Sequence, residues 1–220
     1  MVDIMPTTTL MASRLDLLSD DPFFDVTPYR SLVGALQYLT MTLPDLSYTV
    51  NSVCQLMHAP TVAHFGLVRQ ILCYVRGTLD HGLRIVHDST LDLFAFSDSD
   101  WAGCPVTRRS TTGLCTFLGS NYISWSAKKQ PTIARSSTEA EYHAMASTTA
   151  ELMWLAFLLR DIGIPQPRPA LLFCDNLSAL HMTVNPVLHA RMKHIEVDYH
   201  FVREKLALGS LVTRFVPSNH

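Results

Sequence analysis

The stretch FAFSDSDWAG, residues 94–103, decides how the rest of the chain is read. An apolar alternation runs straight into two acids, and if the strand continues, Asp98 and Asp100 share one face with Phe94 and Phe96. A carboxylate beside aromatic rings is costly to ionise unless something compensates it. The same texture surrounds the stretch: LDLFAFSDSD, GLCTFLG and YISWSAK are short, apolar or aromatic, and separated by Gly, Ser, Asn and Pro. This predicts a meander of three strands, with Gly119, Ser120 and Asn121 at the second turn.

Downstream the period changes. Ser136 opens S-x-x-E with Glu139, a capping-box pattern, and Ala, Met, Leu and Trp follow at helical spacing to about residue 160. IGIPQPRP breaks that helix, and ALLFCDN is an apolar run of strand length ending in an acid and an Asn. An amphipathic helix over roughly 189–208, with Ile195, Val202 and Leu206 on one stripe, precedes a last strand in SLVTRFVP. Tight turns join antiparallel strands, whereas crossovers of helix length join parallel ones. The predicted architecture is α/β, a mixed five-stranded sheet with flanking helices. Ligands of open α/β sheets gather at the carboxyl ends of parallel strands, and both FAFSD and LLFCD end there with an acid. The helix starting at Ser136 brings Glu139 or Glu141 to the same neighbourhood.

Upstream, residues 1–26 mix Met, Pro, Thr and the acidic cluster SDDPFFD without a sustained period, an irregular leader. Residues 27–81 read as a helical subdomain. YRSLVGALQYLT places Leu32, Leu36 and Leu39 on one face, Pro44 and Asp45 open a second helix, and Pro60 and Thr61 open a third that ends at Gly77. The 220 residues carry 17 Lys+Arg against 19 Asp+Glu, a net charge of -2, so no overall positive field attracts nucleic acid, and a polyanion must meet local basic groups. The longest apolar runs are far short of a membrane span, and MVDIMPTTTL lacks the basic and apolar regions of a secretion signal. The expected setting is intracellular, cytoplasmic or nuclear, without membrane contact. Cys54, Cys73, Cys104, Cys115 and Cys174 form an odd set with no C-x-x-C pair, which argues against a disulfide framework or zinc ribbon.

Asp98, a helix-borne Glu and Asp175 would form an acid cluster that is unfavourable unless cations neutralise it. Hard oxygen ligands without thiolate favour magnesium or manganese. Two such ions about 4 Å apart can hold a phosphodiester, activating water on one side and steadying the leaving oxygen on the other. Taken singly, Asp98 or Asp175 is more often a turn residue or cap than a ligand; it is their combination with Glu139 or Glu141 that points to phosphodiester hydrolysis.

The motifs FSDSDWAGCPVTRRSTTGLCTFLG, ISWSAKKQPTIARSSTEAEYHAMA, LFCDNLSALHMTVNPV, KHIEVDYHFVREK and FVPSNH resemble the ribonuclease H domain at the end of copia-type retrotransposon polyproteins. This covers residues 82–220. YRSLVGALQYLT, PDLSYTVNSV and LCYVRGTLDHGL resemble the connector between polymerase and ribonuclease H in the same polyproteins. The resemblance implies a ribonuclease H-like sheet preceded by a helical connector, and endonucleolytic cleavage of the RNA strand of RNA/DNA hybrids with two magnesium ions, or manganese in their place. It makes Asp98, Glu141 and Asp175 the catalytic metal ligands, Asp100 a supporting residue and Glu139 a cap. The reverse transcriptase and integrase parts of the same polyprotein are implied partners.

Two departures stand out. The family continues past the VP segment to a further metal-binding Asp, so residues 82–220 read as a domain truncated at its C-terminus, and Leu43 stands where the family usually has Arg. Residues 1–80 offer no paired Asp of a polymerase palm, so reverse transcription by this chain alone is not expected. The alternative to the enzyme is an inactive remnant that acts as a nucleic-acid-binding or interaction protein.

Arg108, Arg109, Lys128, Lys129, Arg135 and Lys193 are candidate phosphate contacts, with a solvated rim as the equal alternative. Ser136, Ser137 and Asn176 flank the acids and could read sugar 2′-hydroxyls, although cap and turn roles explain them equally well. His189, His194 and His200 with Glu196 and Asp198 suggest zinc, but helical spacing pairs His194 with Asp198 and His200 with Glu196 on different faces, which favours ion pairs. Trp125, Trp154 and Phe157 are expected in the core rather than as stacking platforms.

Overall fold

The computed structural model describes residues 5–10, 21–184 and 195–217. The chain divides into two compact units, Met1–Leu83 and Arg84–His220.

In the first unit, three helices enclose one small core: α1 (Val26–Leu39), α2 (Ser47–Cys54) and α3 (Val62–Gly77). The Asp25 carboxylate accepts the Thr27 N–H at 2.9 Å and starts α1, and Thr61 and His64 form a reciprocal capping box at α3. The fully buried line of α1 is Tyr29, Val33 and Leu36, one step round from the expected stripe, with Leu32 and Leu39 packed at its margin. The reason is Tyr29, whose ring fills the core while its hydroxyl donates to the Val53 carbonyl at 2.9 Å. Pro44 opens a 3-10 turn, Pro44–Leu46, rather than α2 itself.

The second unit is the sheet. Its strands are β1 (Leu93–Ser99), β2 (Thr111–Leu118), β3 (Asn121–Lys129), β4 (Ala170–Cys174) and β5 (Leu211–Phe215), in the spatial order β3-β2-β1-β4-β5. The meander pairs antiparallel, and β4 and β5 continue the sheet parallel to β1. Helix α4 (Ser137–Asp161) crosses from β3 to β4 and packs Tyr142, Met145 and Leu152 against Leu93 and Ala95 of β1 and Leu172 of β4. Helices α5 (Leu177–Val184) and α6 (Glu196–Ala207) complete the crossover to β5.

Sequence reading missed α5. Asn176 starts it by accepting the Ala179 N–H at 3.0 Å, a cap followed by only eight helical residues. The start expected for the next helix, including His189, His194 and Lys193, lies outside the described residues. Asp198 pairs with His143 of α4 and so ties α6 to α4, and His200 lies near Glu196, at 3.9 Å. Trp154 and Phe157 are 56% and 53% exposed and so are not core: α4 runs 25 residues, and they lie on its solvent side. Among the described residues no helix is long and apolar enough to cross a membrane.

The two faces of β1 differ. Leu93, Ala95 and Ser97 point to the helices and are buried, whereas Phe94 and Phe96 lie on the other face in an aromatic layer. There Phe94 stacks on Phe117 and Phe96 on Phe173, each pair with centroids 4.9 Å apart.

Candidate active site

The strand ends at Ser99, so Asp100 does not continue its alternation. Instead Asp100 clasps the β1–β2 loop: its carboxylate accepts the Thr111 N–H, its own N–H donates to the Thr111 carbonyl at 3.2 Å, and its carbonyl accepts from Gly103 at 3.0 Å. A Cβ at residue 103 would meet Asp100 Oδ2 at 2.3 Å, so a larger residue there would push that carboxylate aside. Asp98, by contrast, is exposed at the carboxyl end of the strand.

Helix α4 starts where its cap dictates. Ser136 Oγ accepts the Glu139 N–H at 3.2 Å, and Glu139 Oε2 reaches back to the Arg135 N–H at 2.8 Å. Two residues on, Glu141 turns toward the sheet and is buried, with 6% of its surface exposed. The Ser99 N–H donates to both Asp98 Oδ1, at 2.8 Å, and Glu141 Oε1, at 3.1 Å, so two carboxylates converge on one amide. Parallel pairing of Ser97 with Cys174 carries Asp175 to the same end of the sheet. Its carboxylate, a Glu141 oxygen and Cys174 Sγ lie within 4.8 Å of one another.

The electrostatics follow from this crowding. Burial first, then the negative charges of Asp98 and Asp175, push Glu141 up to about 8, against the opposing pull of the Ser99 N–H. Its second oxygen, Oε2, is buried without a hydrogen-bond partner. A buried carboxylate oxygen with no donor, among other carboxylates, suits a hard divalent cation. Burial pushes the Cys174 thiol up to about 11, so it stays protonated at neutral pH and the donors on offer are oxygens.

Of the residues singled out from sequence, the structure brings Asp98, Glu141 and Asp175 together and leaves Arg135, Ser136 and Ser137 exposed at the start of the helix that carries Glu141. Asn176 is committed to capping α5, and Lys129 Nζ donates to Cys104 Sγ at 2.9 Å. Sequence reasoning passed over Cys174, although it adjoins the acid in FCDN, and also Gln130. The Gln130 side chain is buried where β1, β2 and α4 meet, and Nε2 donates its two hydrogens to Ala140 O at 2.9 Å and Thr112 Oγ1 at 3.1 Å, with Ser99 Oγ a shared third acceptor at 3.4 Å. It thus braces both neighbours of the acid pair. Gln130→Ala is expected to cost about 1–3 kcal/mol in chemical denaturation, since buried acceptors lose their donor. An unchanged midpoint would show that the brace carries no load.

A groove of about 680 Å³, lined by Phe94, Phe96, Leu171 and Phe173 among others, runs along the aromatic face and includes none of the three acids.

No family model matches the chain. Individual proteins do. It is 46% identical over 213 residues to the retrovirus-related Pol polyprotein from transposon RE1 of Arabidopsis thaliana, which covers 96% of this chain but only 14% of the polyprotein. Among solved structures, a foamy viral protease-reverse transcriptase in complex with double-stranded DNA overlaps 93% of this chain and 34% of its own, at TM-score 0.53 and 10% identity. A ribonuclease H1 isolated from compost overlaps 59% of this chain and 86% of its own, at TM-score 0.44 and 15% identity. The overlap with the foamy viral protease-reverse transcriptase shows a shared fold. Along nearly its whole length the chain is homologous to a stretch of the Pol polyproteins of copia-type retrotransposons, of which it spans 14–15%.

Proposed function

We propose that this chain is the ribonuclease H part of such a polyprotein and cleaves the RNA strand of RNA/DNA hybrids endonucleolytically. The observation that carries the reading is the convergence of Asp98 and Glu141 on the Ser99 amide, with Asp175 close enough to raise Glu141 and with Glu141 Oε2 left unpartnered. Two magnesium ions, or manganese in their place, held by Asp98, Glu141 and Asp175, would supply the activated water and the charge stabilisation of the leaving oxygen.

The chain's own groups do the rest. Asp98, exposed at the strand end, faces incoming substrate, while buried Glu141 is fixed by Ser99 and by the helix start that Ser136 and Glu139 hold. Arg135, Ser136 and Ser137 are exposed at the start of α4, where a basic group can meet a phosphate and hydroxyls can meet ribose. Asp100 and Gln130 keep the surrounding loops in register. The reverse transcriptase and integrase parts of the polyprotein are the natural partners, and the setting is the cytoplasm or nucleus.

The test is incubation of the chain with an end-labelled RNA/DNA hybrid in magnesium and in manganese, beside Asp98→Asn. Cleavage confined to the RNA strand is expected, lost by more than about a hundred-fold in the variant. Absence of any Asp98-dependent cleavage would sink the enzyme, and hybrid binding without cleavage would leave a binding protein.

A further inference from the structure

The loop that follows Asp98 is held more tightly than a surface loop requires. Asp100 is bonded to Thr111 through both backbone and side chain, Ala102 N–H donates to Ser110 Oγ at 3.0 Å, and Arg108 N–H donates to the Cys104 carbonyl at 2.8 Å. Ala102 and Arg108 sit at φ of 54° and 55°, the left-handed region that non-glycine residues seldom occupy. Out of this frame stands Trp101, with 52% of its surface exposed. Its indole Nε1 donates to the Ala134 carbonyl at 3.2 Å, so the ring is anchored to the loop that leads into α4 as well as to its own.

An indole fixed at both ends, yet open to solvent, loses little conformational freedom on meeting a ligand. Three residues of chain reach at most about 10 Å, so the backbone of Trp101 lies within that distance of Asp98 at the end of β1. The neighbouring Arg108, Arg109 and Arg135 are exposed, which suits a polyanion passing over the ring. Aromatic faces held beside basic groups are how proteins seat nucleotides without reading their identity.

We propose that Trp101 is the stacking platform that seats one nucleotide of the bound hybrid next to Asp98. This rests on the nucleic-acid reading of the acid cluster, and its ligand is the apolar face of a sugar on one strand, since the base faces of a hybrid duplex are stacked on one another. The Ala134 bond sets the ring's tilt, and the ring itself supplies the affinity.

The test uses the full chain in an Asp98→Asn background, in magnesium, so that substrate binds without turnover. Hybrid is titrated against the parent, Trp101→Ala and Trp101→Phe, reading both affinity and tryptophan fluorescence. Trp101→Ala is expected to weaken binding about ten-fold, while Trp101→Phe, which keeps a ring but loses the Nε1 bond, stays within about three-fold of the parent. The fluorescence quench on binding should vanish in Trp101→Phe. Equal affinity of Trp101→Ala and parent would overturn the platform and leave hybrid binding standing. Equal weakening of both variants would overturn it in favour of the loop tie. A parent that binds no hybrid would overturn the nucleic-acid reading and the platform with it.

Discussion

Glu141→Gln is expected to raise the melting temperature of the cation-free chain at pH 8 by about 5 °C or more, while abolishing hybrid cleavage. Glu141 is buried, and burial together with Asp98 and Asp175 raises it to about 8 from 4.5. A carboxyl raised on folding holds a proton in the native state that the unfolded chain has already lost. Stability therefore falls as pH climbs from about 4.5 to about 8, and the full cost, on the order of a few kcal/mol, is present above that window. Gln removes the charge, keeps an oxygen for the Ser99 N–H and puts an amide donor where Oε2 has no partner. The variant's melting temperature should vary less with pH across the window. Magnesium or manganese should stabilise the wild type at pH 8 and the variant much less. A variant less stable than wild type at pH 8, or two parallel pH profiles, would show that the acids do not repel as described.

Gly119→Ala is expected to destabilise the second unit by about 3 kcal/mol or more, at the upper end of what single substitutions do. Gly119 has φ +56° at the turn from β2 to β3, and a Cβ there would meet Thr90 O and Ser89 Oγ at 2.1 Å and Thr90 C at 2.9 Å. Two of those three atoms are backbone, and the 89–92 segment cannot retreat without breaking the Gly119 N–H bond to Asp92 O at 2.8 Å. Gly163 is the natural comparison, since it has φ +85° but nothing within 4 Å of an added Cβ. Its Ala variant should cost only about 1–2 kcal/mol, the left-handed backbone penalty. Urea denaturation of both would decide the matter, and equal losses would mean that the close approach at Gly119 relaxes at no cost.

Local patterns narrowed the acids without choosing among them: an alternating strand offered Asp98 and Asp100, a capping box followed by a helical run offered Glu139 and Glu141, a short apolar run offered Asp175, and the family resemblance made the choice. The face shared by Asp98 and Asp100 required the strand to continue, and nothing in a period of two announces that it stops at Ser99. The residues that serve the acids are different in kind. Gln130 and the Ser99 amide gain their roles from segments brought together only by the sheet, and His143 pairs with Asp198 across 55 positions. The exposure of Trp154 and Phe157 was hidden too, because helical spacing shows that a face is apolar without showing what covers it.

The parallel pairing of β1 with β4 also imposes an order in time. The β2–β3 hairpin and α4 are local and can form early, but Ser97 meets Phe173, its hydroxyl donating to the carbonyl at 3.4 Å, across 76 positions. Asp98 and Asp175 become neighbours only when that long closure is made, so their repulsion falls on the slow, nonlocal part of folding. A nascent chain that has emerged only to the end of α4 has the hairpin and the helix but cannot hold a phosphodiester. A cation that later binds the three acids bridges a contact distant in sequence, and it would act mainly by slowing unfolding rather than by speeding assembly.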